Sequence, residues 1–145
     1  MKTILGIDPG QSGGLAIRTG DNVYAFKMPE TERDIHDLIY DFGFKYDNII
    51  VFLESVHSMP GQGVVSSFKF GRGYGFLRGI ITSLQYPLHD VSPQKWQKAL
   101  GCLTKGDKNV TKQKAQQLFP KLKITHAIAD AVLIAEYGRR SLKET

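Results

Sequence analysis

The stretch TILGIDPGQSGGLAIR, residues 3 to 18, decides the fold. An apolar run from Thr3 to Ile7 ends on the carboxylate Asp8, turns through Pro9-Gly10-Gln11-Ser12-Gly13, and returns as a second apolar run. Pro presets one turn dihedral and Gly takes up conformations other residues avoid, so the runs read as strands Thr3 to Asp8 and Gly14 to Arg18 around a tight turn. Asn22 to Met28 alternates well enough for a third strand, and three consecutive strands predict an antiparallel meander. At this point Asp8 has two readings: a residue of an Asp-Pro-Gly turn, or a ligand presented at a strand end.

Outward from that meander the order of elements predicts an α/β protein. From Glu30 to Phe42 the apolar residues Ile35, Leu38, Ile39 and Phe42 recur at helical spacing, with Gly43 as the expected stop. Asn48 to Glu54 is a continuous apolar run suited to a strand buried on both faces, and reaching it through a helix implies a parallel crossover. The glycine-rich stretch MPGQGVVSSFKFGRGYGFLRG, residues 59 to 79, is read as mostly helical over 62 to 84. Its Gly71, Gly75 and Gly79 fall at i, i+4 and i+8 and form a bare strip suited to a dimer or helix-packing seam. Tyr86 to Val91 is the fifth expected strand. Ser92-Pro93 opens a short helix through Leu100 as N-cap and first helical residue. Lys105 to Asn109 is expected as a basic loop, Thr111 to Leu118 as a helix closed by Pro120, and Thr125 to Arg140 as the last helix. The prediction is one domain over residues 1–145, a five-stranded mixed sheet with helices on both faces.

Composition narrows the function. A chain of 145 residues suits one ordinary core, and no apolar stretch approaches the roughly 20 residues of a bilayer span. A cytoplasmic protein with no membrane partner is therefore expected. The lone Cys102 forms neither an internal disulfide nor a zinc cluster. Net charge is +5, but residues 1–90 carry 8 Lys and Arg against 10 Asp and Glu, while residues 91–145 carry 11 against 4. A basic C-terminal third beside an acidic remainder fits a polyanion gripped by one region while acidic groups do other work. Solvated lysines explain the same numbers.

The acidic groups form a pattern. Asp8 and Glu54 each end a buried strand, where ligands of open α/β sheets gather. Two carboxylates about 4 Å apart repel by roughly 4 kcal/mol at an effective dielectric of 20, so such a pair shares a proton or holds a cation. In HAIADAVLIAEYG, residues 126 to 138, Asp130 stands among Ala, Ile, Val and Leu, with His126 one turn earlier. Leu133, Ile134 and Tyr137 continue that stripe, which predicts that His126 and Asp130 point inward at the helix start. A hydrogen-bonded core histidine is the plainer reading of His126 alone. Three carboxylates with little other ligand chemistry suit Mg2+ or Mn2+ more than zinc, and the matching chemistry is phosphodiester hydrolysis by two metals.

GIDPGQSGG ending a first strand, a Glu ending a buried strand at 54, and a terminal helix with Asp inside an Ala-rich run together resemble the RuvC-like Holliday junction resolvases of the ribonuclease H-like superfamily. PGQGVVSSFKFGRGYG, VSPQKWQKAL, TKQKAQQLFP and ADAVLIAEYG look closest to its chloroplast and phage branch. The resemblance spans nearly the whole chain and implies a ribonuclease H-like fold. By position the family's catalytic, metal-binding tetrad falls on Asp8, Glu54, His126 and Asp130. Many bacterial members keep the last two ligands three residues apart; here the spacing is four. The resemblance further implies a homodimer that cuts opposing strands of four-way junction DNA symmetrically, in DNA recombination or debranching in a bacterium or phage, with Mg2+ and Mn2+ as its substitute. The Gly71, Gly75, Gly79 strip fits such an interface.

By the same resemblance, Gln62, Gly63, Ser66, Ser67 and Phe68 lie where bases near the cut are read, and Phe68 or Phe70 could stack on an unpaired base, worth roughly 1–3 kcal/mol. Arg72, Arg78, Lys105, Lys108, Lys112 and Lys114 are candidate phosphate contacts, whereas Trp96 is assigned to packing. No nucleotide cofactor is expected. Gly101 to Gly106 is followed by Asp107 where a Walker A loop needs Lys, and glycines 71 to 79 lack the strand-to-helix setting of a dinucleotide loop. The actin-like and sugar-kinase group opens with a similar turn but needs two such domains. A non-catalytic junction-binding module is expected to lack Asp8, Glu54 or Asp130. A ribonuclease H-like nuclease for hybrid or flap substrates shares every feature named here.

Overall fold

In the computed structural model, which describes residues 2–56 and 61–143, the chain forms five strands and five helices in the order β1 (Thr3–Asp8), β2 (Gly14–Thr19), β3 (Asn22–Lys27), α1 (Glu32–Lys45), β4 (Ile49–Glu54), α2 (Val64–Ser83), β5 (Leu88–Val91), α3 (Pro93–Ala99), α4 (Lys108–Leu118) and α5 (His126–Lys143). The strands make one sheet in the order β3-β2-β1-β4-β5. The three N-terminal strands are antiparallel neighbours, while β4 and β5 run parallel to β1. This is the mixed sheet expected from the sequence. Met59 and Pro60, at the start of the glycine-rich stretch, lie outside the described residues.

Strand alternation divides the core in two. Leu5, Ile7, Val51 and Leu53 point to the face covered by α1 and α2, where they join Ile39, Phe42, Leu77 and Ile81. Ile4 and Phe52 point to the other face, which is covered by α3, α4 and α5 through Trp96, Ala115 and Leu133. With a side-chain period of two, Asp8 and Glu54 fall on the same face as Ile4 and Phe52, the α5 face. Their placement follows from the register: Ile7 lies beside Leu53, so the residues that follow leave the sheet side by side.

Three of the boundaries that differ from the sequence reading have a visible physical reason. Helix α1 runs through Gly43 to Lys45, and the glycine inside it leaves room for the Tyr86 hydroxyl, which would lie 2.6 Å from a Cβ there. Helix α4 begins at Lys108, inside the expected basic loop, because Asp107 caps it by accepting from the Asn109 backbone N–H. Strand β5 begins at Leu88 rather than Tyr86, with Gln85 at φ 61° and Pro87 next in line. Among the described residues no helix is long and apolar enough to cross a membrane.

Candidate functional site: a carboxylate cluster at the head of a cleft

Close backbone packing builds the site. Gly10, at φ 104°, and Gly13 shape the turn after Asp8, and the Gly13 N–H donates to the Gly10 carbonyl at 3.1 Å. A side chain on Gly13 would collide with the Asp8 carbonyl, so only glycine lets the returning chain lie against β1 here. Helix α5 rests on the sheet the same way. A Cβ on Gly14 would meet the Ala127 carbonyl oxygen at 2.7 Å, and one on Gly6 would meet the Ala131 carbonyl oxygen at 2.6 Å. The start of α5 is thereby pressed against the end of β1 that bears Asp8.

This packing corrects the expected helix face. The residues lying closest on the sheet backbone are Ala127, Ala131 and Ala135; of the His126 stripe, Leu133 and Ile134 are buried in the core, but its N-terminal members are not. His126 and Asp130 sit on the flank of that face: His126 is exposed, and Asp130 is half-buried. The expectation that both point into the core fails for His126, because small residues occupy the closest approach and a ring would not fit there.

Asp8, Glu54 and Asp130 nonetheless converge. Burial, reinforced by the charges of Glu54 and Asp130, pushes the Asp8 carboxyl up to about 8. Burial also pushes Glu54 up to about 7, against the pull of a hydrogen bond from the Trp96 indole N–H at 2.7 Å, with Asp130 adding to the rise. Asp130 is raised by burial and opposed by a hydrogen bond with Thr111 and the nearby Lys108 and His126. Carboxylates whose mutual repulsion and desolvation favour the neutral form are a donor set that a hard divalent cation satisfies. Among the described residues, no three His, Cys, Asp or Glu side chains stand close enough, as oriented here, to hold one ion. The donor chemistry fits a metal, and the convergence stops short of a formed ligand shell.

The cluster opens into a cleft of about 1070 Å³, with Asp8, His126 and Asp130 in its wall, while Glu54 lies behind it at 9% exposure. Of the expected DNA contacts, the structure brings Gln62, Ser66, Phe70, Arg72 and Lys108 to the cleft. Arg72 there pairs with Glu32 at 3.1 Å. Phe68 is 71% exposed at the start of α2, where Gly63 is the N-cap and Ser67 is half-buried. Arg78 goes elsewhere: it pairs with Asp90 at 2.6 Å beside β5. Lys105 is exposed on the loop before α4, and Lys112 and Lys114 are half-buried on that helix, outside the cleft lining. Gly71, Gly75 and Gly79 are exposed, and a Cβ on any of them would meet nothing within 4 Å.

Two supporting residues escaped sequence reasoning. Trp96, fully buried, is a packing residue as expected but also fixes Glu54; the signal was that a buried indole N–H requires an acceptor. Thr111, at 3% exposure, faces Asp130 from α4, and one buried hydroxyl in a polar helix gave no such signal. Lys108, expected only as a phosphate contact, also sits by Asp8 and Asp130.

The fold recurs in solved structures. One, Thermus thermophilus RuvC in complex with Holliday junction substrate, matches with a TM-score of 0.70 and 16% sequence identity over 99% of this chain and 96% of that one. A second Thermus thermophilus RuvC structure matches with a TM-score of 0.64 and 18% identity over 98% of this chain and 96% of that one. No protein-family model and no curated protein matches the chain. The architecture is that of RuvC within the ribonuclease H-like fold.

Proposed function

We propose that this protein is a divalent-metal-dependent endonuclease that resolves four-way DNA junctions, a single-domain cytoplasmic enzyme of DNA recombination or phage DNA debranching, acting as a homodimer that cuts two opposing strands. The observation that carries the reading is the convergence of Asp8, Glu54 and Asp130 at the head of a wide cleft, on a fold shared with a junction-bound RuvC. Asp8, Glu54 and Asp130, with His126 beside them, are the residues that would hold Mg2+ or Mn2+, which supplies Lewis acidity to activate a water and to stabilise the leaving oxygen of a phosphodiester. The chain's own groups do the rest. Trp96 fixes the orientation of Glu54, and Thr111 that of Asp130. Lys108 lends positive charge where a phosphate approaches two carboxylates. Phe70 in the cleft and Phe68 beyond it offer faces for an unpaired base, and Gln62, Gly63, Ser66 and Ser67 stand at the same end of α2. Lys105, Lys112 and Lys114 add charge for the duplex arms, and Arg72 and Arg78 do so by exchanging Glu32 and Asp90 for phosphate. The uncovered Gly71, Gly75, Gly79 strip supports a homodimer seam.

The test incubates the protein with a mobile four-way junction, a linear duplex and an RNA/DNA hybrid, in Mg2+ or EDTA, beside Asp8→Asn. Cleavage of the junction alone is expected, at least about a thousandfold above Asp8→Asn, equivalent to about 4 kcal/mol of transition-state stabilisation. Equal cleavage of linear duplex, or an active Asp8→Asn, overturns the reading. Tight junction binding without cleavage under any divalent cation converts it to a binding module.

A further inference from the structure

At the pole opposite the carboxylates, the N-terminal end of β1, the C-terminal end of β2 and the last turns of α5 enclose a second cleft of about 370 Å³. It lies about 20 Å from Asp8, the length of six strand residues at 3.3 Å each. Lys2, Arg18, Arg139 and Lys143 line it, with Asp21 as the carboxylate in its wall.

The charge arrangement beneath this cleft is unbalanced. Glu136 is 4% exposed, and both its oxygens are engaged: Oε1 accepts from Arg139 at 2.6 Å and Arg140 at 2.9 Å, while Oε2 accepts from Arg139 at 3.1 Å and lies 2.7 Å from Arg18 Nη1. One carboxylate thus serves three guanidinium groups, and its capacity is used up. Arg18 sits above the Phe119 ring at 5.6 Å, with its side chain only 11% exposed, so water screens it poorly. Its Nε–H is buried and finds no acceptor among the described residues. Burial disfavours the Arg18 charge most; Glu136 and Asp21 favour it, and Arg139 and Arg140 disfavour it. Among the described residues, three guanidinium groups clustered on the saturated Glu136, with two further lysines at the rim and Asp21 as the other carboxylate, are the ingredients of an oxyanion site.

We propose that this polar cleft binds a phosphate group through Arg18, Arg139, Lys2 and Lys143. Glu136 is the internal anchor that keeps the guanidinium groups together when the cleft is empty, and an incoming dianion supplies the charge that Glu136 and Asp21 leave unmatched. The phosphate belongs either to a nucleic-acid backbone, which would extend the footprint to a face remote from the carboxylates, or to a small phosphorylated ligand. The inference does not depend on cleavage, because none of its residues touches the carboxylate cluster.

The experiment keeps the buried arginines and reverses the two exposed rim charges in Lys2→Glu/Lys143→Glu. Inorganic phosphate is titrated into labelled protein against chloride at matched ionic strength, and backbone amide shifts are followed. Saturable shifts confined to Gly20, Asp21, Arg139 and their neighbours, lost in the double variant, are expected. In parallel, affinity for a short linear duplex in EDTA is measured across a salt series. If the cleft holds backbone phosphates, the double variant lowers the salt slope by about two, roughly one unit per lost phosphate contact. Phosphate shifts with an unchanged slope support the site and assign it to a small ligand. No saturable shift together with an unchanged slope overturns the proposal, provided thermal unfolding shows the variant is folded.

Discussion

Helix α5 is buried at Ala129, from Ala131 through Glu136 and at Gly138, and lies so close to β1 that a Cβ on Gly6 would fall 2.6 Å from two of its backbone atoms. Helix α2, on the other wall of the cleft, buries only Leu77, Ile80 and Ile81, all in its C-terminal half, and leaves Val64, Val65 and Phe68 at 86%, 69% and 71% exposure. Both helices carry small residues four apart. In α5 they admit a neighbouring backbone; in α2 the glycines face open space. The difference separates two jobs. Under the proposed function, the carboxylates that would share a cation sit on the most tightly held elements, whereas the groups proposed to meet DNA sit on the loosely held one.

The comparison breaks first at Gly6. Gly6→Ala forces two backbones apart, with no flexible side chain to give way, and is expected to cost about 3 kcal/mol or more, read as a fall in the denaturant midpoint and, in the folded fraction, loss of junction cleavage. An unchanged midpoint would show that α5 is not held by backbone contact. Trp96→Phe keeps most of the volume and removes the N–H, leaving Glu54 buried without its donor. A loss of about 2 kcal/mol is expected, and a weakened response to Mg2+ separates the positioning role from simple packing.

The acidic end sharpens the contrast through pH. Asp8 rises from its ordinary 3.8 to about 8 and Glu54 from 4.5 to about 7. The unfolded chain releases these protons near pH 4 and the folded chain only near pH 7–8, so metal-free protein loses stability as pH rises through that window. Thermal midpoints in EDTA should fall from pH 5 to pH 8, and Mg2+ should raise the midpoint by several degrees at pH 8 but far less at pH 5. An equal effect of Mg2+ at both values would detach the cation from these carboxylates. The smallest effect belongs to α2. Gly75→Ala fills open space and improves helix propensity, so the isolated chain should gain about 0.5–1 kcal/mol. If Gly71, Gly75 and Gly79 are a dimer seam, sedimentation should show weaker self-association in the same variant.

Much of this was legible in the sequence. The apolar runs around Asp8 and before Glu54, with glycines between them, carried the strands and the mixed sheet, because strand identity depends on local period and turn chemistry; the order of the strands did not follow from them. The helix ends were read less well. Gly43 reads locally as a stop, since nothing nearby in the chain reveals its contact with Tyr86, and the cap at Asp107 is hidden in a lysine-rich segment.

The sequence by itself determined that Asp8 and Glu54 each end a buried strand and that Asp130 stands in the apolar run from Ala127 to Ala135, because those statements depend on local periodicity; that the two strands are neighbours came from the sheet pairing. Only the tertiary structure decided that His126 stays exposed, that Trp96 holds Glu54, that Arg78 is committed to Asp90, and that three arginines crowd Glu136 at the far pole. Each depends on the rotation of a helix about its axis or on contacts between residues distant in sequence. The seating of α5 is fixed by close backbone approaches at Gly6 and Gly14 and by the room Gly138 leaves for the Phe52 and Ile4 side chains, which no local pattern encodes.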